Sequence, residues 1–107
     1  MFARMLEFVP KFEKKDEFIN VMKKDILPIL QKQTGFVEIL PFVPQEKTEK
    51  MIVVSLWTDQ KWAEQYMRET YPKVEQFVKP YVTSTIVYKP YELETVFAER
   101  FEKTVAA

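Results

Sequence analysis

The 107-residue sequence contains no histidine and no cysteine, and these absences exclude most of the chemistry that small enzymes carry out at neutral pH. Histidine is the side chain whose unperturbed pKa lies nearest to neutrality, and cysteine supplies thiolate nucleophiles, disulfides and soft metal ligands. A zinc site built on these ligands, a Cys–His or Ser–His catalytic pair and a histidine-ligated haem are therefore excluded. We expect a protein that uses neither a metal nor a cofactor.

The sequence also lacks net charge and long apolar runs. Sixteen basic and sixteen acidic residues cancel, which argues against nucleic acid or an anionic membrane as a partner, because both require a basic face. No apolar run approaches the roughly 20 residues of a membrane span, and MFARMLEFVP lacks the pattern of a signal peptide. We expect a cytoplasmic protein, and zero net charge favours its self-association.

Aromatic residues are abundant, at 15% of a chain whose length fits one domain. Side chains of this size at this density must be buried in a core, in a pocket or in an interface. The alternatives differ in function, so the positions of the aromatic residues along the predicted elements decide which of them line a pocket.

Four segments have the pattern of strands: residues 2–9, 36–43, 51–57 and 82–88. The third, MIVVSLW, is continuously apolar and predicts a central strand covered on both faces. Pro41 cannot donate to a sheet ladder, so the second strand is predicted to be an edge or to carry a bulge. Pro90 is predicted to break the last strand.

Two helical regions alternate with these strands. Phe18, Met22, Ile26 and Leu30 form an apolar stripe in a helix predicted over residues 13–33, which Pro28 should kink. The only glycine, Gly35, is the predicted left-handed cap. A second helix is predicted from about residue 60 and should be interrupted at the Tyr71–Pro72 pair.

The resulting order, β-α-β-β-α-β, predicts an α+β domain with the ferredoxin-like split βαβ arrangement, in which two helices cover one face of an antiparallel sheet. The other face would be apolar and open. An open apolar face needs a partner, and the simplest partner is a second copy of the chain, giving a homodimer.

Three stretches resemble the antibiotic biosynthesis monooxygenase family of dimeric α/β barrels. They are the DEF that opens the first helix, residues 25–39 (DILPILQKQTGFVEI) and residues 55–77 (SLWTDQKWAEQYMRETYPKVEQF). The resemblance implies a domain over residues 1–90 whose sheet packs on that of a partner. It also implies a pocket between each sheet and its own helices. Residues 91–107 form a tail that we expect to pack on the partner subunit.

The same resemblance locates the missing histidines. Many members carry histidines nine and fourteen residues after the strand-ending tryptophan, here Trp57, and these positions hold Tyr66 and Tyr71. The haem-degrading branch also uses an asparagine on the first strand, and Met5 stands at about that position. Haem degradation is therefore not expected, whereas cofactor-independent oxygenation of a phenol or quinol remains, because it depends mainly on a pocket that binds an activated aromatic substrate.

The candidate pocket residues are Met5, Glu7, Trp57, Trp62, Tyr66 and Tyr71. Each has a simpler interpretation: the tryptophans as packing residues, which we favour for Trp57, and the tyrosines as amphipathic side chains with wet hydroxyls. With an ordinary pKa of about 10, a tyrosine is a better hydrogen-bond donor than a base. Glu7, like Arg4, is a charge on a largely apolar strand. It could act as a base if it is buried, or pair at a rim or across a dimer.

Three functions follow from these residues. The first is a monooxygenase that acts without a cofactor on an aromatic or polyketide-like small molecule. The second is a non-catalytic dimeric module that binds a small hydrophobic ligand. The third is a dimerisation scaffold, which requires Trp57, Tyr66 and Tyr71 to be fully packed with their hydroxyls bonded internally.

Overall fold

A computed structural model describes residues 1–94. The expected tail, 91–107, lies mostly outside the described residues, and its packing on a partner stays a prediction. The elements in chain order are β1 (Phe2–Phe8), a 3₁₀ turn (Phe12–Lys14), α1 (Lys15–Val21), a π-helical turn (Met22–Ile26), α2 (Leu27–Gln31), β2 (Phe36–Phe42), β3 (Met51–Trp57), α3 (Gln60–Glu69), α4 (Tyr71–Val78), a second 3₁₀ turn (Lys79–Tyr81) and β4 (Val87–Glu92).

The four strands form one sheet in the order β2-β3-β1-β4, and each neighbouring pair is antiparallel. This is the predicted ferredoxin-like arrangement, and the fold class is confirmed. β3 lies inside the sheet as predicted. β2 is an edge strand, which accommodates Pro41, and its pairing with β3 shifts register between Phe36 and Glu38.

Strand alternation gives the sheet two chemically different faces. On β1, Arg4 pairs with Ser55, and both side chains lie on the face that the helices cover. Met5 pairs with Val54 and Glu7 with Ile52, so these four side chains lie on the opposite, open face.

The last strand differs from the prediction. β4 runs from Val87 to Glu92, and Pro90 lies within it, paired with Arg4. Pro90 does not break the strand because β4 is an edge, where a missing N–H is tolerated. Residues 82–84, predicted as strand, instead hold the end of β1: the Thr83 N–H donates to the Val9 carbonyl at 2.8 Å, and the Ser84 hydroxyl accepts from the Val9 N–H at 2.8 Å.

The apolar stripe of the first helical region is confirmed, since all four of its predicted members are buried: Phe18, Met22, Ile26 and Leu30. The region is not uniformly α-helical. A π-helical turn, Met22–Ile26, precedes α2, and Pro28 stands in the first turn of α2, where its missing N–H is tolerated. The irregularity that the proline predicted therefore takes the form of a widened turn rather than a break.

Two helix caps are present, of which the one at Gly35 was predicted. Gly35 has a φ of 80°, the left-handed conformation expected for it. Asp59 caps α3, because its carboxylate accepts a hydrogen bond from the Lys61 N–H at 2.9 Å. α3 ends at Glu69 and α4 begins at Tyr71, so the predicted interruption at Tyr71–Pro72 is also confirmed.

The open face of the sheet carries exposed apolar side chains. Phe42 is 55% exposed and Tyr91 is 48% exposed, and the charged pair Glu7 and Lys89 lies among them with 3.2 Å between Oε2 and Nζ. An apolar sheet face of this kind is typical of an interface.

Among residues 1–94, no helix has both the length and the apolar character that a membrane crossing needs. The cytoplasmic location stays a prediction. The expected domain boundary at residue 90 also stays a prediction, although β4 continues to Glu92.

Candidate functional site

A mostly apolar cavity of about 40 Å³ lies between the helices and the covered face of the sheet. By the usual allowance of roughly 10–15 Å³ per water, it holds about three water molecules. Its lining residues come from all three strands β1 to β3 and from every helix: Arg4, Leu6, Phe8, Phe18, Met22, Ile26, Leu30, Ile39, Val53, Ser55, Tyr66, Met67, Tyr71, Val74 and Val78.

Two polar atoms of this lining are buried without a hydrogen-bond partner among residues 1–94. They are Nε of Arg4 and the hydroxyl of Tyr71. A buried polar group left unpaired costs about 1–3 kcal/mol, and such groups are rare enough in folded proteins to require an explanation. Because both belong to residues that line the cavity, a water molecule or a ligand in the cavity could supply the missing partner.

Aromatic rings form a continuous row beside the cavity. The ring centroids of Trp57 and Tyr66 are 5.1 Å apart, those of Tyr66 and Tyr71 are 6.1 Å apart, and those of Tyr71 and Tyr88 are 5.4 Å apart. The Arg4 guanidinium carbon lies 5.9 Å from the centre of the Tyr88 ring, at the end of the row. The row therefore places a cation beside aromatic faces.

Burial changes the acid–base properties of the tyrosines. It raises the pKa of Tyr66 well above 10, and Arg4 only partly opposes this. Burial also raises the pKa of Tyr71, further than that of Tyr66. The Tyr71 hydroxyl approaches the Tyr88 hydroxyl without meeting hydrogen-bond geometry, and this approach adds to the rise. Both hydroxyls are therefore neutral donors near pH 7 and not bases. Burial lowers the pKa of Arg4, yet a guanidinium keeps its charge in proteins.

A hydrogen bond connects this site with the protein surface. The Tyr88 hydroxyl donates to Oε2 of Glu75 at 3.0 Å, and the Glu75 carboxylate also pairs with Lys79 at 3.5 Å. Glu75, Lys79 and Tyr88 line an open groove between α4 and β4. Tyr88 thus stands between the buried Tyr71 and a carboxylate at the surface.

Of the six candidate residues, the structure brings Tyr66 and Tyr71 to the cavity. Trp57 is fully buried in the core behind Tyr66, and its indole N–H donates to the Ser55 hydroxyl at 3.0 Å. Trp62 packs against Gly35 and under the Lys61 ammonium, outside the cavity lining. Met5 and Glu7 lie on the open face, since neighbouring residues of a strand point to opposite faces.

Two residues that matter at the site were not among the candidates. Arg4 shares the covered face of β1 with Phe2, Leu6 and Phe8. A charged residue among alternating apolar residues was the sequence pattern that could have identified it. Tyr88 had no signal, because its role depends on where β4 begins. Among residues 1–94, no group of three or more acidic side chains is arranged to hold a metal ion.

The unpaired hydroxyl gives a test of stability. We expect Tyr71→Phe to raise the free energy of unfolding of the unliganded protein by about 1 kcal/mol, because an unsatisfied polar group is removed while the ring stays. Tyr88→Phe is the matched control, and it should lower stability because it loses the bond to Glu75. Chemical denaturation followed by circular dichroism measures both. Equal losses in the two variants would mean that the Tyr71 hydroxyl has a partner in solution.

No family model and no curated protein sequence matches the chain. Solved structures do. A conserved protein from Methanosarcina mazei superposes with a TM-score of 0.69 at 18% identity, covering 88% of this chain and 94% of that one. A candidate antibiotic biosynthesis monooxygenase from Nitrosomonas europaea gives 0.68 at 11% identity, covering 87% and 98%. The chain has the antibiotic biosynthesis monooxygenase-like fold.

The same fold occurs in SnoaB from Streptomyces nogalater, described as a cofactor-independent oxygenase. Its N63A variant matches with a TM-score of 0.67 at 16% identity, covering 87% of this chain and 92% of that one. Identities this low establish the shared fold and leave the activity to be argued from the site.

Proposed function

We propose that the protein is a cofactor-independent monooxygenase that acts on a small aromatic molecule in the cavity. The cavity must widen to admit one ring, because a cavity that binds benzene measures about 150 Å³, and the flexible side chains of Met22 and Met67 in its lining allow this. The observation that carries the proposal is the pair of unpaired polar atoms, Arg4 Nε and the Tyr71 hydroxyl, in an otherwise apolar cavity. The likeness in fold to SnoaB supports the oxygenase activity over other reactions in such a pocket.

The reaction needs a substrate that can form a stabilised anion, because oxygen then reacts with the electron-rich carbon directly. For an aromatic CH₂ beside a phenol or ketone, the carbon gives up two hydrogens to one oxygen atom, which leaves as water, and forms a C=O bond to the other. The substrate supplies all four electrons, so the overall change is CH₂ + O₂ → C=O + H₂O.

The side chains of the chain would contribute electrostatic stabilisation. The Arg4 cation and the neutral Tyr71 donor face the position where the negative oxygen of the substrate anion develops, and such prearranged donors are worth most in an apolar site. The Tyr88–Glu75 pair gives the substrate proton a path to the surface carboxylate. The apolar remainder of the lining excludes water from the reacting carbon.

Oxygen uptake with a panel of single-ring quinols and of single-ring aryl ketones that carry an acidic CH₂ group tests this function. We expect uptake in the wild type and a decrease in kcat/KM of about 100-fold in Tyr71→Phe, the usual effect of removing one donor to a developing oxyanion. Tyr81→Phe is the control, because its ring stacks on Phe18 outside the cavity lining. Absence of uptake across the panel would reject the oxygenase.

A second function, a non-catalytic module that binds a small hydrophobic ligand, is favoured by one observation: no carboxylate is among the residues found to line the cavity. It predicts saturable binding without a product. A thermal-shift screen detects it, since a ligand at a hundred times its Kd adds about 2.7 kcal/mol of stability. The unpaired Tyr71 hydroxyl argues against the third function, a pure scaffold, which requires that hydroxyl to be bonded internally.

The open apolar face of the sheet supports a homodimer that packs sheet to sheet. We expect Phe42→Asp to convert the dimer to a monomer, because a carboxylate would replace one of the most exposed apolar side chains of that face. Phe12→Asp is the matched control, an exposed phenylalanine outside the sheet. Light scattering at micromolar concentration measures the mass. A wild-type monomer, or a dimer that persists in Phe42→Asp, would contradict the proposal.

A further inference from the structure

We propose that the side chain of Tyr88 is a gate between the cavity and the surface groove that runs between α4 and β4. A ligand enters the cavity from this groove by displacing the Tyr88 ring. This deepens the proposed function, because it rests on the cavity as the ligand site and assigns the entrance to one residue. The gate is tested below without any turnover, so its failure and the failure of the oxygenase are distinguishable.

The cavity and the groove share α4 as a wall. Val74 and Val78 of this helix line the cavity, whereas Glu75, between them in sequence, lines the groove. Within the described residues the two linings have no member in common. The groove measures about 410 Å³ and the cavity about 40 Å³. A small aromatic molecule therefore fits the groove before it fits the cavity, and it needs an opening between the two.

Tyr88 stands at the place where such an opening would form. It lines the groove, and its ring centre lies 5.4 Å from the ring centre of Tyr71 and 5.9 Å from the guanidinium carbon of Arg4. Tyr71 and Arg4 both line the cavity, and they carry the two buried polar atoms that lack a partner in residues 1–94. Displacement of the Tyr88 ring would therefore open both of these polar groups to the groove.

Few interactions hold the Tyr88 ring in the closed position. The side chain is 37% exposed, and one hydrogen bond, from its hydroxyl to Glu75, restrains it within the described part of the chain. Tyr88 is the second residue of β4, and residues 83–86 before the strand are irregular. A rotation about χ1 turns the ring into the groove without a change in the backbone, and exposed side chains make such changes rapidly.

The carboxylate of Glu75 acts as the latch of this gate. It accepts the Tyr88 hydroxyl at 3.0 Å, and the Lys79 ammonium holds it at 3.5 Å from the next turn of the chain. The opposite wall of the cavity offers no comparable entrance, because its residues from the first helical region are at most 3% exposed: Phe18, Ile26 and Leu30. Displacing them would disrupt the core, whereas displacing Tyr88 breaks one hydrogen bond.

An introduced thiol measures the opening, because the sequence has no cysteine of its own. Val74→Cys puts the thiol in the cavity wall, at a position that is 3% exposed. Methyl methanethiosulfonate reacts with this thiol only when the cavity is open, and intact-mass spectrometry gives the rate. Ala63→Cys is the matched control, since Ala63 is fully buried on α3 outside the cavity lining and reports unfolding of the core.

Variants of the gate are combined with this reporter. Tyr88→Phe keeps the ring and removes the latch, and it should make the Val74→Cys thiol react about tenfold faster. Tenfold corresponds to about 1.4 kcal/mol, which one hydrogen bond to a carboxylate can contribute. Tyr88→Ala removes the gate and should raise the rate further. Tyr91→Ala, which changes a tyrosine of the same strand on the open face, should leave the rate unchanged.

Three results would overturn the gate. The first is a Val74→Cys rate in the otherwise unchanged protein that equals the rate of free cysteine. The second is a rate that neither Tyr88 variant raises. The third is an equal rise for the Ala63→Cys thiol, which would mean that the whole core opens. Oxygen uptake is a separate measurement: a gate without uptake would reject the oxygenase alone, and uptake with no effect of Tyr88 on labelling would reject the gate alone.

Discussion

Replacing Trp57 by alanine is expected to lower the free energy of unfolding by about 3–5 kcal/mol. The indole is fully buried, and its ring contacts Phe36 and Tyr66 with centroid distances of 5.6 and 5.1 Å. Alanine would remove these contacts and leave a cavity at the junction of β3 and α3. It would also remove the indole N–H from the Ser55 hydroxyl. Urea denaturation followed by circular dichroism measures the loss.

Trp62→Ala is the matched control for this experiment, because it removes the same side chain from a partly buried position on α3. The loss should be clearly smaller than for Trp57→Ala. Similar losses would mean that Trp57 does not occupy the packed centre of the core. A Trp57→Ala variant with unchanged stability but impaired ligand binding would instead make Trp57 a pocket residue, contrary to its position in the structure.

Replacing Gly35 by alanine is expected to lower the free energy of unfolding by about 2–5 kcal/mol. Two effects add: about 1–2 kcal/mol for a side chain in the left-handed conformation, and about 1–3 kcal/mol for steric overlap. A Cβ atom at Gly35 would lie 2.7 Å from Cβ of Trp62 and would also overlap its ring atom Cδ1. The Gly35 carbonyl accepts the Thr58 N–H at 2.8 Å, so the backbone there is held against movement.

A double-mutant cycle with Trp62→Ala separates these two effects. In the Trp62→Ala background the overlap is absent, and Gly35→Ala should cost only the conformational strain of about 1–2 kcal/mol. The sum of the stability losses in the two single variants should therefore exceed the loss in the double variant. Strictly additive losses would show that a side chain at Gly35 does not overlap the indole of Trp62.

The sequence predicted elements well where local chemistry and packing agree. The fourfold spacing of the helix stripe, the capping Gly35 and the interruption at Tyr71–Pro72 all reflect constraints within a few residues. The last strand was predicted too early in the sequence, because the β-branched residues at its predicted start favour a strand. Tertiary contacts instead place β4 at Val87–Glu92. Residues 82–84 are used to satisfy the end of β1, and Pro90 is accepted because the strand is an edge.

The site was only partly predictable. Tyr66 and Tyr71 were found through the resemblance, which fixed their spacing from Trp57. Met5 and Glu7 were selected from the correct strand, but their side chains lie on the face of β1 opposite to the cavity. Arg4 was recognised as a charge on an apolar strand, yet its unpaired state depends on the distances to acidic groups far away in sequence. Such distances are set by the assembled fold.

The π-helical turn limits the insertions and deletions that the first helical region can tolerate during evolution. A regular α-helix advances about 100° per residue, so a stripe at every fourth position would rotate by about 120° over its length. The wide turn at Met22–Ile26 reduces this rotation, and Met22 and Ile26 both line the cavity. Deletion of one of the exposed lysines within it would narrow the turn and rotate every later helical residue relative to the sheet. Natural variants should therefore tolerate substitutions at Lys23 and Lys24 but not changes in the number of residues.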